Sequence, residues 1–156
     1  MSDEQQVIDI TLEQVTDYEF RVRFDDTAIP DLLTDETPPL GQGAGPNPSR
    51  MLAAAVANCL SASLLFALRK YKNQPGSLGA RARATLERNE KGRWRVVRIA
   101  VELSLSNVET DLSHLDRALA QFEDFCIVTE SVRQGVPVDV SVRDATGTLL
   151  HKAATG

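Results

Sequence analysis

The feature that most limits what this chain can fold into is the run Met51 to Leu68, rich in Ala and Leu and without a single charged side chain. It is entered through Gly41-Gln42-Gly43-Ala44-Gly45-Pro46-Asn47-Pro48, the composition of a loop that feeds a helix. Asn47 is placed to accept an orphan amide as N-cap, and Pro48 at the first helical position forfeits no needed donor. The helix is expected to run until Asn73-Gln74-Pro75-Gly76, where proline and glycine stop it. Apolar nearly all round, it should be buried on most sides. A stretch of about 18 apolar residues also meets the lower bound for a membrane span. Asn58, Ser61 and Ser63 interrupt the run, however, Ala drives insertion weakly, and charged amphipathic elements follow on both sides. The expectation is a soluble core helix, with no membrane partner.

Periodicity supplies the other elements. Ile8, Ile10 and Leu12 alternate with polar neighbours, and Phe20, Val22 and Phe24 alternate with Arg21 and Arg23, so a hairpin turning near Thr16-Asp17 is predicted. Beyond the apolar helix, Ala80, Ala82, Ala84 and Leu86 alternate with Arg81, Arg83, Thr85 and Glu87. A turn at Asn89 to Gly92 then leads to Val97, Ile99, Val101, Leu103 and Leu105. Leu112, Leu115, Leu119 and Phe122 switch to helical spacing, and Cys126 to Arg133 reads as a second short helix closed by Gln134-Gly135. Val136, Val138, Val140 and Val142 form a last alternating strand, where Pro137 points to an edge or strand-start position. Residues 145–156 carry no pattern and read as a mobile tail. Strands segregated around one apolar and one amphipathic helix, without a βαβ rhythm, predict an α+β domain.

At 156 residues the chain is one domain by size, long enough to bury roughly two thirds of the surface its unfolded form exposes. The start MSDEQQ has no basic segment and no apolar h-region, so no secretory signal is visible and the cytoplasm is the expected compartment. A net charge of -5 and a pI near 5.0 disfavour nucleic acid and anionic membranes as partners. The charge is uneven. Asp25, Asp26, Asp31, Asp35 and Glu36 fall in a segment with no base between Arg23 and Arg50, whereas Arg81, Arg83, Arg88, Lys91, Arg93, Arg95 and Arg98 crowd the second hairpin. Without interleaved aromatic residues, that basic run reads as a solvated face.

The chain has two cysteines, Cys59 and Cys126. In a reducing compartment such a pair makes a poor structural framework but a possible redox couple. Cys126 falls at a helix N-terminus, where the positive dipole end favours a thiolate. Cys59 lies mid-helix in apolar surroundings, which penalise a thiolate unless a cation is near. Free cysteines are also among the most buried residue types, so an inert core thiol is the plain alternative. His114 and His151 lack the spacing of a zinc site and read as surface or capping residues.

The segment Gly45-Pro46-Asn47-Pro48-Ser49-Arg50-Met51-Leu52-Ala53-Ala54-Ala55-Val56-Ala57-Asn58-Cys59 resembles the OsmC/Ohr family, the osmotically inducible and organic hydroperoxide resistance proteins. So do Cys126-Ile127-Val128-Thr129-Glu130-Ser131-Val132 and the following Val136-Pro137-Val138. The order hairpin, glycine-rich loop, cysteine helix, hairpin, helix, cysteine, strand also matches. The resemblance implies that 1–156 is a single OsmC-like domain in an intertwined homodimer, with antiparallel sheets wrapped around central helices. It implies a stress-response oxidoreductase of peroxiredoxin type, a thiol-dependent peroxidase that reduces organic hydroperoxides. Cys59 is then the peroxidatic thiolate, Cys126 resolves its sulfenic acid as a disulfide, and an external dithiol restores the pair. No metal or organic cofactor is implied.

The chain departs from the family pattern at two points. Ser49 stands where the peroxidases usually have a glutamate after the Asn-Pro pair, and no residue matches the arginine that stabilises the thiolate. Arg21 and Arg23 face away from their strand's apolar side. Arg50 precedes Cys59 by nine residues, about 900 degrees of turn and roughly 13 Å of rise, which sets it on the opposite side of the same helix. A peroxidase weakened by these losses is the first expectation. The alternative is a protein of the same fold that binds a small apolar or acyl ligand without turnover. A structural dimer with inert thiols is the third.

Overall fold

The computed structural model describes residues 4–136 and 138–154. The chain forms two compact units, Met1–Ala55 with Ala82–Val101 and Val56–Arg81 with Glu102–Gly156.

In the first unit, β1 (Ile10–Thr16), β2 (Glu19–Phe24) and β3 (Leu32–Thr34) form an antiparallel sheet in that order. The predicted hairpin is present, with Leu12 opposite Val22 and Ile10 opposite Phe24. Its turn places Asp17 in the left-handed region, φ 45°, which Asp tolerates better than most residues. Val22 is buried, and Arg21 and Arg23 point outward to Asp31 and Glu13 at 3.9 and 2.8 Å. Ile10 and Leu12, expected on a core face, are exposed instead. β3 has no signature beyond two leucines and a threonine. It leads into Asp35, whose buried carboxylate accepts the amides of Glu36 (2.8 Å), Gln42 (2.9 Å) and Ala44 (3.1 Å). The glycines here are a steric requirement: a Cβ on Gly41 would strike that carboxylate, and one on Gly45 the Leu33 carbonyl.

The loop delivers the chain to α1 (Pro48–Lys70), and Asn47 Oδ1 accepts the Arg50 amide at 3.0 Å as the expected N-cap. The helix stops before the predicted Pro75-Gly76. Lys72 turns left-handed (φ 62°), its amide bonds Arg69 O at 2.9 Å, and the Asn73 amide bonds Leu68 O at 3.1 Å, the paired bonds of a Schellman ending. Burial on most sides is not what the chain achieves either. Val56, Leu60, Ser63, Leu64, Ala67 and Leu68 are buried, while Leu52 and Phe66 are exposed. By length and composition alone α1 could cross a membrane. Its buried stripe is the centre of a core instead.

That core lies in the second unit, where Leu64, Ala67, Leu68 and Ala118 pack with Leu78, Leu103, Leu105, Leu112, Leu115 and Phe122. Ala118 belongs to α2 (Leu115–Gln121). The helical spacing pointed to Leu119, but that side chain is exposed and the smaller Ala118 takes the inward position. α3 (Ile127–Gln134) follows, closed by Gly135 at φ 74°. β4 (Leu78–Arg88) and β5 (Trp94–Leu105) form the second hairpin. At its tip, in the first unit, Asn89 Oδ1 accepts the Lys91 and Arg93 amides.

The strand expected from Val136 begins only at Asp139, as β6 (Asp139–Arg143), and it pairs antiparallel with a further strand, β7 (Leu149–Ala154). The tail is therefore not loose through Ala154: Asp144 Oδ1 accepts the amides of Thr146 and Thr148 and turns the chain back. Pro137 lies outside the described residues. His114 occupies the N-cap position of α2 in the left-handed region, its ring 5.6 Å from that of Tyr71.

Candidate functional site

Two helices of the second unit bring the cysteines together. On α1, Cys59 and Ser63 are four residues apart and share a face, Cys59 half-buried and Ser63 buried. Cys126 sits at the junction of two turns. Its amide bonds Glu123 O at 2.9 Å, closing the 3-10 turn Phe122–Phe125, and its carbonyl accepts the Glu130 amide at 3.1 Å, opening α3. The cysteine is thus the N-cap of α3, as its sequence position implied. Arg133 holds the junction, reaching Glu123 at 2.9 Å and Glu130 at 2.6 Å. Phe66 packs edge-to-face on Phe125 at 5.0 Å, with Lys70 Nζ 5.5 Å from the same ring. Tyr71 donates to Gln121 at 3.2 Å, and Asn73 ties the end of α1 to Ser113 through bonds of 2.9 and 2.7 Å.

The Cys126 side chain is completely buried, and its Sγ lies 2.9 Å from Thr129 Oγ1. Burial pushes this thiol up. Hydrogen bonding to the Cys59 thiol, to the Thr129 hydroxyl and amide and to the Ser63 hydroxyl outweighs burial, so Cys126 ends below the ordinary thiol range. The Thr129 amide contributes by pointing at the sulfur without making a regular side-chain cap. The supporting groups are all neutral, so the thiolate is favoured here without a guanidinium.

Both cysteines are free, and the Cys59 thiol is among the groups that lower Cys126. They differ in access: Cys59 keeps some exposure, whereas Cys126 has none. Sequence reasoning named the two sulfurs but not the hydroxyls around them. Ser63 read as an interruption of an apolar run, and Thr129 as one letter of a motif. Their spacing, Cys59 to Ser63 at i+4 and Cys126 to Thr129 at i+3, was the available signal.

Ser49 and Arg50 belong to a different feature. In the first unit they line a cavity of about 510 Å³ with Ala53, Ala84 and Leu86 on its apolar wall. Asp35, counted among the acids ahead of the helix, serves inside the glycine loop; its carboxyl is held below the usual range, first by the Ala44 amide.

Residues 41–141 match the family described as OsmC-like protein. No curated protein matches the chain. Several solved structures share its fold. An OsmC-like protein of unknown function from Vibrio cholerae is 16% identical with a TM-score of 0.66, over 81% of this chain and 94% of that one. An organic hydroperoxide resistance protein OsmC from Legionella pneumophila is 14% identical with a TM-score of 0.65, over 84% and 92%. An organic hydroperoxide resistance protein from Elizabethkingia anophelis is 16% identical with a TM-score of 0.63, over 84% and 91%.

Proposed function

Because the chain belongs to the OsmC-like family, we propose that it is a thiol-dependent peroxidase that reduces organic hydroperoxides with Cys59 and Cys126. The observation that carries this reading is the pairing of a partly accessible thiol with a fully buried one whose thiolate it helps to favour. The accessible sulfur is the one a peroxide can reach. Cys59 Sγ attacks the distal peroxide oxygen, the O–O bond breaks, the alcohol leaves with a proton, and Cys59 becomes a sulfenic acid. The Cys126 thiolate then attacks the Cys59 sulfur. An S–S bond forms, the S–O bond breaks, and the departing hydroxide takes a proton to become water. An external dithiol returns both sulfurs to thiols by exchange. The cytoplasm, where such dithiols are kept reduced, is the compartment that suits this cycle.

Turnover is slow on this reading, because Ser49 cannot hold a guanidinium through a carboxylate pair. The protein is also a homodimer. α1 leaves Leu52 and Phe66 uncovered, and Ile8, Ile10 and Leu12 lie exposed at the other end of the chain, apolar surface that a second copy would bury. A second reading is favoured by the cavity beside Ser49, whose alanine and leucine wall and Asn47, Ser49 and Arg50 rim suit a small acyl ligand held without turnover.

The test is cumene hydroperoxide consumption with a dithiol reductant. Activity in the native chain and its loss in Cys59→Ser are expected. Native protein that neither consumes peroxide nor is oxidised at Cys59 overturns the peroxidase reading in favour of ligand binding.

A further inference from the structure

We infer that Thr129 is a positioning residue for the resolving step, holding the Cys126 sulfur as the attacking thiolate once Cys59 has been oxidised. This rests on the two-cysteine reading above. It adds a hydroxyl side chain whose job is to act on a sulfur to which it is not covalently bonded.

Thr129 is buried, at 5% exposure, beside a sulfur with no exposure at all, and Ser63 on the other helix, at 6%, is among the groups that lower Cys126. Bonding to a carbonyl of its own helix does not account for Thr129. Serines inside helices commonly satisfy themselves on the carbonyl four residues back, and two in this chain do so: Ser61 on Ala57 O and Ser131 on Ile127 O, each at 2.7 Å. Thr129 Oγ1 meets the Cys126 sulfur at 2.9 Å instead. A hydroxyl suits either state of that sulfur. It accepts from the S–H of the thiol, and by turning its own O–H it donates to the thiolate.

The need for it follows from the order of the reaction. In the reduced protein Cys59 is one of the groups that favour the Cys126 thiolate. After the peroxide has reacted, that same sulfur is the electrophile, and its support as a thiol donor is gone. Burial still penalises the charge on Cys126. The remaining donors are the Thr129 hydroxyl and amide and the Ser63 hydroxyl. These groups also aim the sulfur: Cys126 is fixed on the backbone as an N-cap, and the 2.9 Å contact to Thr129 fixes its side chain.

The experiment follows closure of the Cys59–Cys126 disulfide across pH in the full-length protein after one equivalent of cumene hydroperoxide. A sulfenic-acid trap reports how long oxidised Cys59 persists. Thr129→Val keeps the side chain's shape and removes the donor. It should slow closure about tenfold near neutral pH and move the pH profile up by about one unit, the size expected for one hydrogen bond to a charged sulfur. The first step, oxidation of Cys59, should keep its rate. Thr129→Ser should restore closure, and Ser63→Ala should shift the profile in the same direction by less. An unshifted profile in Thr129→Val overturns the inference, as does slower closure at every pH that serine does not rescue. Closure driven by diamide, which needs no peroxide step, separates this from the peroxidase reading. The same pH shift under diamide, in a chain whose Cys59 resists peroxide, sustains the role of the hydroxyl while the peroxidase reading falls.

Discussion

Replacing Asn73 by alanine should cost this protein about 2–3 kcal/mol of stability. The side chain is buried at the end of α1, its Nδ2 donating to Leu68 O at 3.1 Å and Ser113 O at 2.9 Å while its Oδ1 accepts the Ser113 amide at 2.7 Å. Each such bond contributes about 1 kcal/mol net. Ser113 is exposed, so water partly replaces its two lost bonds and the total falls somewhat below the sum. For a chain of this length that amounts to a Tm lower by roughly 4–12 °C. The backbone bond from the Asn73 amide to Leu68 O survives in the variant, so the helix still ends where it does. What is lost is the tie between the cysteine-bearing helix and the segment that leads through α2 to Cys126. Asn73→Asp sharpens the test. Ionised, it sets a carboxylate against two carbonyl oxygens and the negative end of a helix dipole; protonated, it regains a donor. Its folded-state value is therefore raised, and its contribution is present at low pH and lost as pH rises through that value. The assay is urea unfolding followed by far-UV circular dichroism at one fixed protein concentration, since any self-association would make the midpoint concentration-dependent. A loss under about 0.5 kcal/mol for alanine, or an aspartate variant no worse at pH 7 than alanine, would show that the clip contributes little.

Asp35 gives an acid-side signature. Its folded value lies below the unfolded one because the Ala44, Gln42 and Glu36 amides stabilise the carboxylate. Its contribution is full above the unfolded value of about 3.9 and lost as pH falls through the lower folded value. Amide exchange at Gln42 and Ala44 should rise in that window and not in Asp35→Asn, where exchange is fast throughout. Ser49→Glu should raise peroxide turnover roughly three- to tenfold if a guanidinium is in reach of the new carboxylate, and native activity should climb with pH. Fast native turnover at neutral pH, lost in Cys59→Ser, would contradict that. Sedimentation at micromolar concentration should show a dimer, and a stable folded monomer would refute it.

How far the fold was legible in the sequence depended on whether a local signal decided the outcome. Asn47 and Pro48 mark the start of α1 because capping chemistry acts over three residues, and the structure begins the helix there. The Asn89 to Gly92 turn and the Gly135 stop are similarly local. The end of α1 was misread because Pro75 and Gly76 are strong punctuation while the actual stop is Lys72, a poor left-handed residue stabilised by Asn73 and its contact forty positions away. β3 and β7 are strands by pairing, not by pattern, and pairing is invisible to periodicity. Leu119 was chosen over Ala118 because hydrophobicity ranks side chains by size, whereas a tightly packed core admitted the small one. At the candidate site the cysteines announced themselves. Ser63 and Thr129 did not, since a hydroxyl gains its meaning only from what the fold sets beside it.

Two requirements on a two-thiol site conflict, and the arrangement here separates them. A sulfur that meets a peroxide must be reachable, yet a thiolate is held most firmly by fixed donors in a closed space, where each hydrogen bond counts for more than in water. Putting both demands on one cysteine calls for a charged partner that tolerates exposure, which is what an arginine–glutamate pair supplies. On the proposed two-cysteine reading, with Ser49 where the family resemblance places a glutamate, this chain distributes the demands: access falls to Cys59, and the favoured charge to the buried Cys126.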